Sequence, residues 1–231
     1  SAVDSYADYE QLVGGVETLF KGSADTVQEY AANAYKTSGL SANDYMETAT
    51  SFAASLLQSL GGDTEKAAQV TEMAINDMSD NANKMGTDMS AIQYAYQGFA
   101  KQNYTMLDNL KLGYGGTKKE MERLLADATK ISGVKYDISN LNDVYQAIHV
   151  IQKNLGITGT TALEAATTIQ GSAAMMKAAW QNMLTAMADD TQDFDLVLNR
   201  LIESVGAFAE NIVPRIEIAL AGVAKLIDKL A

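Results

Sequence analysis

Few side chains in this sequence could move a proton or hold an ion. His149, the only histidine, stands between Ile148 and Val150 in a stretch of helical periodicity. No serine or acid near it completes a nucleophile or metalloprotease spacing, so an ordinary packed or boundary histidine is expected. Asp189, Asp190, Asp193 and Asp195 could offer oxygen ligands to a hard cation, but the glycine turn and closing glutamate of a calcium loop are missing. Aspartates ahead of a helix suit the positive end of its dipole, so a solvated helix start is expected there, and the same reading covers Asp77, Asp80, Asn81 and Asn83.

Leu112-Gly113-Tyr114-Gly115-Gly116-Thr117-Lys118 sets glycines and a lysine before a helix, as phosphate-binding loops do. A Walker loop needs its second glycine directly before Lys and then Ser or Thr, and the dinucleotide pattern needs glycine where Lys118 stands. A plain helix-turn-helix junction explains the segment instead. Tyr94, Tyr96, Phe99 and Tyr104 beside Lys101 could stack single-stranded bases. A net charge of -12 would repel a phosphate backbone, so no direct nucleic-acid binding is expected. The absence of cysteine removes disulfides and thiolate metal sites. No catalytic residue, cofactor or metal is expected.

The elements that would carry these residues read as helices almost throughout. Proline occurs once, at Pro214, which removes the commonest helix breaker. Three residues able to cap a first turn are followed three places later by a carboxylate: Ser41 with Asp44, Thr117 with Glu120, and Thr161 with Glu164. They predict helices to about Leu60, to about Ile131, and from Thr161 through Met187. Glycines at Gly39, Gly61-Gly62, Gly113, Gly115-Gly116, Gly133 and Gly156 suit helix ends. Apolar residues recur in steps of three and four, as in Met46, Ala49, Ala53, Leu56, Leu60 and in Leu141, Val144, Ile148, Ile151, Leu155. The eleven methionines fall at such spacings and read chiefly as core.

The expected architecture is therefore all-α, with multiple helices joined by short Gly-containing turns: a compact, glycine-punctuated part over 1–156, then long amphipathic helices over 157–231, extended or oligomerising. The most regular stripe runs Ala162, Ala166, Ile169, Ala173, Met176, Trp180, Met183, Met187 with a near-heptad repeat. Its stretch from Ala166 to Met187 is the candidate packing or self-association face. A second stripe runs Phe194, Leu198, Leu201, Val205, Phe208, Ile212 and continues past Pro214 as Ile216, Leu220, Val223, Ile227, Leu230, with a kink or restart expected at the proline. Small residues in Gly171-Ser172-Ala173-Ala174 would let helices approach closely. No run reaches the roughly 20 apolar residues of a membrane span. The chain enters helix-like sequence directly after Ser1, as a soluble piece of something longer would.

Three blocks carry a family likeness. GLSANDYMETATSFAASLLQSLGGDTEKAAQ at 39 to 69 resembles the core region of phage tail tape-measure proteins. MSDNANKMGTDMSAIQYAYQGFAKQNYTMLDNLKLGYGGTKKEMERLLADA at 78 to 128 resembles that family's most recognisable block, and GITGTTALEAATTIQGSAAMMKAAWQNML at 156 to 184 resembles the next.

The resemblance implies a structural, non-enzymatic component of a virion tail. Such a protein fills the tube lumen during assembly, sets tube length and leaves before the genome passes. It implies tail-tube, tail-tip or baseplate partners and a homo-oligomer of several copies, with three the number to test. Residues 157 to 231 suit a ruler, since a helix rises about 1.5 Å per residue, and residues 1 to 156 suit a compact element near one tail end. The alternative reading is a helical segment that meets the host membrane during ejection, through the amphipathic stripe from Phe194 to Leu230.

Overall fold

A computed structural model describes residues 1–231, and every regular element in it is helical. In chain order these are α1 (Ala2–Phe20), α2 (Ala24–Thr37), α3 (Ala42–Ser59), α4 (Thr64–Met85), α5 (Met89–Ala100), α6 (Lys118–Ser132), α7 (Leu141–Asn154), α8 (Thr160–Glu164), α9 (Ile169–Met187) and α10 (Phe194–Leu230). Two of the expected caps form. The Ser41 hydroxyl accepts the Asp44 N–H at 3.1 Å, and the Thr117 hydroxyl accepts that of Glu120 at 3.1 Å. Glycine closes α6 at Gly133 with φ 76° and turns the chain at Gly156 with φ 73°, where a side chain would be strained.

The third expected start is displaced. No long helix runs from Thr161, because α8 ends after five residues and α9 begins only at Ile169. Asp80 explains the change: its carboxylate accepts the N–H groups of Gly159 and Thr161 at 2.8 and 2.9 Å, so the cap of α8 comes from α4. Glu164 turns to the Asn83 amide at 2.6 Å instead of returning to its own first turn. The Glu164 carbonyl then accepts the N–H groups of both Thr167 and Thr168, which closes α8. Thr168 restarts the helix by accepting the Gly171 N–H at 3.0 Å.

Helices α1 to α7 surround one core. The stripe residues Met46, Ala49, Ala53 and Leu56 of α3 meet Val144, Ile148 and Ile151 of α7 within it, while Leu155, just before the turn at Gly156, is left exposed. Phe52 meets the Tyr145 ring edge-on at 5.4 Å, and Tyr96 lies against Tyr145 at 5.1 Å. Burying an aliphatic or Phe side chain of this kind contributes about 1.5–3 kcal/mol, so this cluster dominates the stability of the fold.

The rest of the chain folds back on that body. α9 rests on α1 and α2, with Met175, Ala178 and Ala179 gathered around Tyr35 and Ala165 in a small second core. α10 returns along α9 as a hairpin, to which Leu201 and Ala207 contribute. Of the kink or restart expected at Pro214, the restart does not occur, because the helix continues through it to Leu230. Pro214 is exposed, so the lost N–H costs one bond whose acceptor, the Glu210 carbonyl, sits on an exposed residue that water can reach. From Val213 to Leu230 every residue is exposed.

Candidate functional site

The densest polar cluster lies late in α4, where the sequence reading expects a solvated helix start. Asp77, Asp80 and Asn81 are all buried. The error lies in the helix face: Ala67, Thr71, Ala74 and Met78 form a buried stripe, and the next step of three along it lands on Asn81. Polar residues continuing an apolar stripe were the available signal. Buried polar groups need partners, and these have them. The Asn81 amide donates to the Leu110 carbonyl at 2.9 Å and to Gln152 Oε1 at 2.8 Å, and its Oδ1 accepts from Thr87 at 2.7 Å. The Gln152 amide donates to the Asp77 carbonyl at 3.0 Å.

His149 closes this network. Its Nδ1 lies 3.0 Å from both carboxylate oxygens of Asp77. Burial raises the Asp77 carboxyl to about 6, against the opposing pull of His149. The hydrogen bond to Asp77 in turn raises the His149 imidazole above its ordinary value. The histidine ring keeps some exposure, 27% against 2% for Asp77, so it can exchange a proton with water. Its hydrogen bonds go to Asp77 alone, and neither residue lines any of the main clefts. The arrangement braces α4 against α7, the Leu110 turn and the α8 connector.

No family model, no curated protein and no solved structure matches the chain.

The other candidates resolve into local structure. Asp193 caps α10 by accepting the Leu196 N–H at 3.1 Å, and Asp189 accepts from Thr191 and Gln192 in the turn before it. No three His, Cys, Asp or Glu side chains converge as metal ligands would. In the glycine loop, Glu120 accepts the Gly115 N–H and binds Arg123, which holds its carboxyl down at about 2. The Arg123 guanidinium lies 4.3 Å from the centre of the Tyr114 ring and donates to the Gly113 carbonyl. The loop's polar groups are thus engaged with one another. Tyr96, Phe99 and Tyr104 belong to the core, and only Tyr94 of that group is exposed.

The α9 stripe singled out from the sequence is split by the break before Ile169. Met183 is buried and Ala173 and Met176 are half-buried, while Ala166, Ile169, Trp180 and Met187 are exposed. The buried positions lie mostly one residue away, at Ser172, Met175, Ala178, Ala179 and Ala186, and Met175, Ala178 and Ala179 make the contact with Tyr35 of the body. The small residues do mark a close approach. The Asn211 amide of α10 reaches the Ala166 and Thr168 carbonyls and the Ser172 hydroxyl at 3.0, 3.2 and 3.0 Å.

Proposed function

We propose that this chain is a structural component of a phage or phage-like tail, part of a tape-measure protein that templates tube length and occupies the lumen before genome ejection. The observation that carries the reading is the likeness of the blocks at 39 to 69, 78 to 128 and 156 to 184. The fold is in keeping with it. Polar clusters are spent on bracing helices, which favours a non-enzymatic role, and α10 is a rod of about 55 Å at 1.5 Å per residue over its 37 residues. In this reading the body of α1 to α9 sits against tip or baseplate proteins at one tube end, in several copies, and α10 points along the lumen.

Because α9 and α10 fold back on each other, a ruler role falls to the projecting part of α10 and not to all of 157–231. Inserting four further copies of residues 216–229 in frame into the gene adds 56 residues. Tail length by electron microscopy should then grow by about 84 Å. Unchanged length would remove α10 from the ruler, and loss of tails would place it in the start of assembly.

A second reading rests on the exposed apolar residues Ile216, Leu220, Val223, Ile227 and Leu230, which could lie in a host membrane interface. No helix is long and apolar enough to cross a membrane, so this contact would be in-plane. Co-sedimentation of the whole chain with liposomes discriminates the two.

A further inference from the structure

Where the hairpin of α9 and α10 folds back on the body, it closes over a cavity of about 70 Å³. α1, α2, α3, α9 and the start of α10 line it. The floor is apolar, made of Ala31 and Ala32 of α2, Met46 of α3, Ala179 of α9 and Val197 of α10. Three polar groups beside that floor have donors without a partner in the chain. The Arg200 guanidinium lies 5.7 Å from the centre of the Tyr35 ring and forms no ion pair. Tyr35 is only 7% exposed, and its hydroxyl makes no hydrogen bond within the chain. Asn182 has its side-chain oxygen committed to the Ala42 N–H at 2.8 Å, which leaves its NH2 group to face another acceptor. No aspartate or glutamate lines the cavity. Glu203, one turn further along α10, acts on Tyr35 from outside it.

We infer that this cavity binds a short-chain aliphatic carboxylate, with the carboxylate toward Arg200 and the Asn182 amide and the hydrocarbon tail on the alanine floor. An apolar hollow with a few polar groups at its wall is the form that small-molecule sites take, and here those groups are donors that burial has separated from bulk water. Charge selects the head group. A guanidinium offers paired N–H donors that match a carboxylate, and one cation with no lining acid attracts an anion. Volume selects the tail. The cavity is about half of the roughly 150 Å³ that admits benzene, so it takes a chain of a few carbons and not an aromatic ring. Arg200 and Asn182 belong to the hairpin, whereas Tyr35 and Ala32 belong to the body, so an occupied site holds the two together. The inference stands independently of the tail reading.

Calorimetric titration of the whole chain with sodium butyrate tests it, with butylammonium as a similar tail of opposite charge and n-butanol as the uncharged one. Butyrate should bind one-to-one, shift the Met46 methyl resonance and slow hydrogen exchange over residues 197–204. Butylammonium and butanol should bind more weakly by about tenfold or more. Arg200→Gln should weaken butyrate by a similar factor and leave butanol unchanged. Ala32→Leu, at a half-buried position of the floor, should fill the cavity and abolish butyrate binding. Near-ultraviolet dichroism checks that both variants remain folded, and the selectivity of the wild type decides the case without them. Absence of saturable butyrate binding, equal binding of butanol or butylammonium, or butyrate binding that a folded Arg200→Gln variant leaves unmoved overturns the proposal.

Discussion

His149 Nδ1 lies within 3.0 Å of each carboxylate oxygen of Asp77, and this pairing ties the exposed flank of α7 to the buried face of α4. Both shifts have the same sign: the folded state holds protons that the unfolded state has released. His149 contributes stability that is complete below its unfolded value of 6.5 and is lost as pH rises through its raised folded value. Asp77, raised from 3.8 to about 6, contributes stability that is complete below 3.8 and lost by about 6. Thermal melts should therefore fall steadily from about pH 4 to above pH 7. His149→Gln should remove the upper part of that fall and cost about 2 kcal/mol near neutrality by leaving a buried carboxylate without its cation. A wild-type melting point that is flat across this range would contradict the pairing.

Asp80 holds the connector between the body and the hairpin. Asp80→Ala leaves the Gly159 and Thr161 N–H groups without acceptors, at a cost of about 2–3 kcal/mol. Hydrogen exchange should accelerate over residues 157–168 first. Asp80→Asn keeps one acceptor oxygen and should lose less. Uniform acceleration over the whole chain would mean that the connector has no separate latch.

Gly171 is required by space. A Cβ there would clash with the Glu164 carbonyl oxygen, so Gly171→Ala must push apart the α8–α9 break and should destabilise by about 2 kcal/mol. Gly14 provides the contrast, with nothing within 4 Å of its Cβ position in the middle of α1. Gly14→Ala should stabilise by about 0.5–1 kcal/mol. Urea melts of the two variants should move in opposite directions.

Asn211 pins α10 to the start of α9. Replacing it with alanine removes an amide shared among two carbonyls and a hydroxyl, and should cost about 1–2 kcal/mol. Exchange at the amides of Gly171 and Ser172 should rise while the α3 core remains protected. Unchanged exchange would mean that apolar packing alone holds the hairpin.

Much of the fold was legible because helix signals are local. Ser41 and Thr117 cap the helices their spacing predicted, and the stripes on α3 and α7 point inward as their periodicity requires. The same local rules misread Thr161, whose surroundings include a carboxylate 81 residues away in sequence. The candidate chemistry was legible only in part. The packed or boundary position expected for His149 matches its half-burial, but its partner Asp77 stands 72 residues earlier, beyond the reach of any spacing rule.

The sequence by itself determined that the chain is helical, where α2, α3, α6, α7 and α9 stop, and which residues form the inward stripe of α3 and α7. Each of these depends on backbone propensity and on side chains within one or two turns. Tertiary structure alone decided that Asp77, Asp80 and Asn81 are buried, that α8 breaks from α9, and that α9 covers one side of α10 and leaves its residues from Val213 to Leu230 exposed. Those outcomes depend on which distant helix supplies a partner or a neighbour. A burial cost is settled only when packing has removed the water.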